Sequence, residues 1–149
     1  MKLGIFAMLA ALSLLSIACG GSSGKAGAAG FSQASMKGSF AGTFSGNIYT
    51  GSQHLPILGT GIYIADGAGN LTGHETYTVA STPCEATIKG TYTIEADGSG
   101  TDTVTFTTSS PGCTSGTYKQ SLAIARSGQL VLLSNTTGGQ IKEEWHLQD

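Results

Sequence analysis

Gly59-Thr60-x5-Asp66-Gly67-x-Gly69 returns 31 residues later as Gly90-Thr91-x5-Asp97-Gly98-x-Gly100. An Asp-Gly step followed closely by a second glycine supplies the positive-φ positions that a tight hairpin turn requires. Each copy therefore reads as strand, turn, strand. Outward from these two turns the apolar residues alternate with polar ones from Met36 to the end of the chain, which is the period of half-buried strands.

Eight strands are expected on this pattern. The first runs from Lys37 to Gly46, with Phe40 and Phe44 on one face, and the second from Ile57 to Ala65, with Ile62 and Ile64 opposed to Tyr63. In the third, Leu71, Gly73, Glu75, Tyr77 and Val79 share a face. The fourth places Ile88, Gly90, Tyr92 and Ile94 inside, and the fifth, Thr101 to Thr108, does the same with Val104 and Phe106. A sixth runs from Thr117 to Arg126 with Tyr118, Leu122 and Ile124 on one side. Ser127-Gly128 turns into a seventh, Gln129 to Asn135. The eighth, Gln140 to Leu147, sets Ile141, Glu143, Trp145 and Leu147 against Lys142, Glu144 and His146. An all-β, eight-stranded antiparallel up-and-down barrel accommodates this order, and a two-sheet β-sandwich is the alternative.

Composition agrees with strands and turns. Charged residues are 11% of the 149, glycine contributes 23, and the net charge of −2 includes a single arginine, Arg126. Such a surface offers no basic patch for a phosphate backbone, so no nucleic-acid partner is expected.

The N-terminus has a different character. Lys2 precedes an apolar run from Leu3 to Ile17, the arrangement of an export signal and too short for a membrane span. Leu15-Ser16-Ile17-Ala18-Cys19 resembles the lipobox of bacterial lipoproteins. The resemblance implies that residues 1–18 are a signal peptide and that Cys19 becomes a lipidated N-terminus, anchoring the protein to a membrane of the cell envelope. Gly20 after the cysteine implies the outer membrane. Residues 19–35, rich in Gly, Ser and Ala, bury too little surface to order themselves and read as a tether. The barrel domain is residues 36–149.

In a meander, connections alternate between the two ends. The turns at Asp66, Asp97 and Ser127 then share one end. Longer loops at Tyr49 to Pro56, Ala80 to Glu85, Ser109 to Gly116 and Thr136 to Gly139 share the other. Cys84 and Cys113 fall in two of those loops, and an exported chain with its third cysteine lipidated has this pair left to form a disulfide, free thiols being the alternative.

An eight-stranded meander with tight turns at one end and longer loops at the other is similar to the calycin superfamily of lipocalins and avidins, with Gly42-Thr43-Phe44 where that superfamily carries Gly-x-Trp. The resemblance implies a barrel with a cavity. Fold alone does not license a function.

Catalytic chemistry is poorly supplied. The three histidines, His54, His74 and His146, have no metal or triad spacing, and no cofactor motif is present, so no enzyme, metal or cofactor is expected. The two Asp-Gly-x-Gly segments lack the oxygen donors that calcium needs. Glu75 and Glu143 are different, since each interrupts an apolar face and a buried carboxylate requires a partner or a cavity. The expected function is binding of a small apolar or amphipathic ligand at the long-loop end, lined by Tyr49, His54, Glu75, Tyr77, Tyr118, Glu143 and Trp145. The alternative is a structural or protein-interaction lipoprotein whose barrel is filled by its own side chains. The oligomeric state is not encoded in these patterns.

Overall fold

The computed structural model describes residues 30–149. The expected signal peptide, Cys19 and the part of the expected tether up to residue 29 lie outside the described residues. Eight strands follow one another: β1 (Lys37–Thr50), β2 (Gln53–Asp66), β3 (Asn70–Val79), β4 (Thr82–Ile94), β5 (Ser99–Thr107), β6 (Gly116–Ala125), β7 (Leu130–Asn135) and β8 (Gly139–Leu147). Each pairs antiparallel with the next, and β8 returns to β1 from Phe40↔Leu147 to Ile48↔Gly139. The sheet is a closed barrel, not a sandwich. Closure leaves no unpaired sheet edge.

The Asp-Gly turns form as their sequence dictates. Gly67, Gly69 and Gly98 have φ of 78°, 101° and 88°. The Asp66 carboxylate accepts from the Ala68 and Asn70 amides at 2.7 and 2.9 Å and from the Asn70 side chain. Asp97 accepts from the Ser99 amide at 2.9 Å and its hydroxyl at 2.6 Å. These oxygens are engaged within their own turns, as Asx-turn chemistry requires.

At the opposite end two expected loops are instead strand. Tyr49 to Pro56 is the tip of a long hairpin turning at Gly51-Ser52, and Ala80 to Glu85 reduces to the turn Ala80-Ser81, so Cys84 lies on β4 rather than in a loop. Pro56 and Pro83 suggested loops because proline cannot donate to a ladder. Neither position needs it to. The Pro56 carbonyl accepts from Ala80 at 2.9 Å, so the proline nitrogen faces the same side, beyond the end of β3 at Val79. Pro83 likewise precedes the first β4 residue that β5 reaches, Thr87. The one extended connection at this end is residues 108–115, and the Cys84–Cys113 disulfide ties it back to β4.

The core has two parts. One cluster, including Met36, Phe40, Tyr63, Leu71, Tyr92, Val131 and Trp145, fills the Asp-Gly end. A second, with Phe44, Ile57, Tyr77, Cys84, Ala86 and Ile141, coats the wall of the other half. Residues 31–35, expected to belong to the tether, instead enter the filled end as a plug, because Phe31 has a core to pack against: its amide donates to Ala96 O at 3.1 Å, and a 3-10 turn at Gln33–Ser35 leads into β1. Tyr92 staples the plug from inside, its hydroxyl donating to Met36 O at 2.6 Å and accepting from the Gly67 amide at 3.0 Å.

The disulfide joins residues 29 apart, and closing a loop of that length removes about 3.5 kcal/mol of denatured-state entropy on the chain-entropy model. The double variant Cys84→Ala/Cys113→Ala is expected to lose about that much stability in urea unfolding, while far-ultraviolet circular dichroism still reports the barrel.

Candidate functional site

The half of the barrel away from the plug is hollow. A cavity of about 450 Å³ opens between the β1–β2 hairpin tip, residues 112–117 and Gly138. Its walls are apolar and aromatic: Phe44, Ile57, Ile88, Val104 and Ile141, with Phe106 stacked on Tyr118 at 4.9 Å and Phe44 tilted against Tyr77 at 6.1 Å. Its floor is polar.

The floor is built on inward-facing glycines. Gly42 and Gly61 lie side by side in the register of β1 and β2, flanked by Trp145 on β8 and Glu75 on β3. A β-carbon at Gly42 would overlap the rings of both Trp145 and Tyr63, and one at Gly61 would come 2.8 Å from the Tyr63 ring. The bare backbone therefore lets those rings lie flat across the barrel, stacked at 4.0 Å with 14° between their planes. Gly59 likewise gives its space to Phe44 and Tyr77. At these positions the missing side chains make room for rings rather than for a ligand.

Each ring carries a donor that ends on a carboxylate. Tyr63 Oη donates to Glu75 Oε1 at 2.7 Å, and Trp145 Nε1 donates to Glu143 Oε2 at 3.1 Å. Gln120 Nε2 reaches Glu143 Oε1 at 2.6 Å and Asn135 Oδ1 at 2.8 Å. Beyond Gln120, on β5, Asp102 is 2% exposed, with the Gln120 backbone facing its carboxyl. Burial pushes Glu75 up to about 7, with the Tyr63 hydroxyl pulling the other way. Burial and then the charge of Glu75 push Glu143 up to about 8, against the opposing Gln120 and Trp145 bonds. Asp102 is raised by burial to about 7. Tyr63 is raised far more, by burial and then by both glutamates, and remains a donor at any ordinary pH.

Of the residues named from the sequence, Glu75, Tyr77, Tyr118, Glu143 and Trp145 line the cavity together, and Tyr49 stands at its rim. His54 does not join them: it is exposed on β2, its ring 4.5 Å from that of Tyr49, and is not among the lining residues. Tyr63 and Asp102 were not singled out. On β2 both faces carry large apolar residues, so alternation alone does not say which points inward, and it is Ile64, 52% exposed, that faces solvent. Asp102 shares its strand parity with Val104 and Phe106, a signal sufficient to place it inside. Among the described residues, no three His, Cys, Asp or Glu side chains converge as a metal site. No family model matches the chain, and neither curated proteins nor solved structures yield a match.

The three raised carboxyls set a pH dependence of stability. Each is a weaker acid folded than unfolded, so the native state holds more protons than the unfolded one between those values. Their stabilising contribution is complete below about pH 4 and is lost as pH rises through 7 to 8. Asp66 and Asp97, lowered by their turn bonds, act the other way and only in more acid solution. Urea unfolding is expected to show stability falling by a few kcal/mol between about pH 5 and pH 8.5, and Glu143→Gln should flatten that slope.

Proposed function

We propose that this protein is a lipid-anchored binding protein of the bacterial envelope, held through Cys19 and taking a small apolar or amphipathic ligand into its barrel. The observation that carries this reading is the hollow half of the barrel. Its volume of about 450 Å³ falls in the range of small-molecule sites. A structural lipoprotein would have no use for such a space, and filling it with larger side chains would be an easy route to stability. The distribution of polarity also suits binding. A few fixed polar groups lie at the bottom of an apolar, aromatic-walled pocket, the arrangement that orients a ligand while burial of its body supplies the affinity. The anchor reading rests on the apolar N-terminal run and the Leu15 to Cys19 segment.

Two measurements test the two halves of the reading. The neutral lipophilic dye N-phenyl-1-naphthylamine should brighten on binding, and Val104→Trp, which fills the middle of the cavity, should abolish the effect while leaving the circular dichroism unchanged. Wild-type dye binding by that variant would rule the cavity out. Metabolic labelling with a radioactive fatty acid should mark the wild-type chain and not Cys19→Ala; equal labelling would remove the anchor.

A further inference from the structure

We infer that the ligand is cationic: an amphiphile whose apolar body fills the aromatic-walled half of the barrel and whose protonated amine is received by Glu75 on the floor. The inference rests on the binding reading above and specifies its ligand.

Charge balance is the first ground. Among the described residues, Glu75 and Glu143 are the only acidic side chains lining the cavity, and no lysine, arginine or histidine lines it. Asp102, buried on β5, adds a third carboxyl within electrostatic reach of Glu143. Acidic groups gathered in a low-dielectric site with no counter-cation raise one another's cost of ionisation. A ligand that brings the missing positive charge is stabilised by the same field. A ligand that brings a carboxylate, as a fatty acid does, is repelled by it.

Hydrogen-bond capacity is the second ground, and it selects between the two glutamates. Both oxygens of Glu143 already accept protein donors, from Gln120 and from Trp145. Glu75 accepts through Oε1 only, from Tyr63, which leaves Oε2 to the cavity. An ionised carboxylate is an acceptor with room for several donors, and an ammonium group is three donors on a point. The aromatic surroundings act in the same direction. Tyr77 lies two residues from Glu75 on the same face of β3, and both it and Tyr118 line the same cavity. Ring faces attract cations and do not attract anions.

A matched series of eight-carbon probes isolates the charge. Octylamine, octanol and octanoate share an apolar body and differ only in the head. Trp145 is the single tryptophan of the chain and lies on the cavity floor, so its fluorescence reports occupancy directly. Titrations of the purified full chain at about pH 8.5, where the amine is protonated and the floor glutamates are largely ionised, are expected to rank octylamine at least about ten-fold tighter than octanol, with octanoate weakest. Glu75→Gln keeps an acceptor for Tyr63 and removes the charge, so it should abolish the preference for octylamine over octanol. Equal affinity of wild type for all three probes, or tighter octanoate, overturns the cationic assignment and leaves the cavity reading standing. Binding of none of the three overturns both. Should Glu75→Gln fail to fold, the ranking of the three heads on the wild-type chain decides alone.

Discussion

Tyr63 and Trp145 lie ring on ring across the waist of the barrel, and the rest of the structure is arranged around what that stack needs. It needs bare backbone on β1 and β2, which Gly42 and Gly61 provide. It needs acceptors for two buried donors, and Glu75 and Glu143 supply them. In return the stack divides the interior. Below it the barrel is packed from Met36 to Val131, and above it the walls stand apart. A barrel of eight strands is just wide enough either to be filled or to hold one small ligand. This one does each in turn along its length.

The polar floor has a cost that bears on its purpose. Removing carboxyl groups from water is unfavourable, and each of these carries that penalty as an upward shift in its proton affinity. Leucines of similar size would pack the same space without it. Polar groups held at such cost beside an unfilled half of the barrel are where a ligand is to be sought.

Much of this was legible in the sequence, and the failures have physical causes. The Asp-Gly-x-Gly turns were readable because their chemistry is local: a short acidic side chain and a positive-φ glycine specify a hairpin without help from the rest of the fold. Alternation on β3 and β8 placed Glu75, Tyr77, Glu143 and Trp145 inside because their opposite faces are polar throughout. On β2 the same rule is mute, since Ile62 and Ile64 on one face compete with Tyr63 and two glycines on the other. The inward face there is chosen by rings arriving from β8, a contact that no window along the chain contains. Pro56 and Pro83 misled for a related reason. Whether a proline breaks a ladder depends on whether a neighbouring strand reaches that far, and the lengths of β3 and β5 are properties of the sheet.

The plug at Phe31 to Met36 and the mouth at residues 112–117 lie at opposite ends, which gives the molecule a direction. β1 has 14 residues, and at ~3.3 Å each with a tilt near 40° it carries the rim roughly 35 Å from the plug. A chain held at Cys19 is held by its sealed end. The anchor proposed above would therefore tie the chain by the end that is packed shut and leave the open end as the free one.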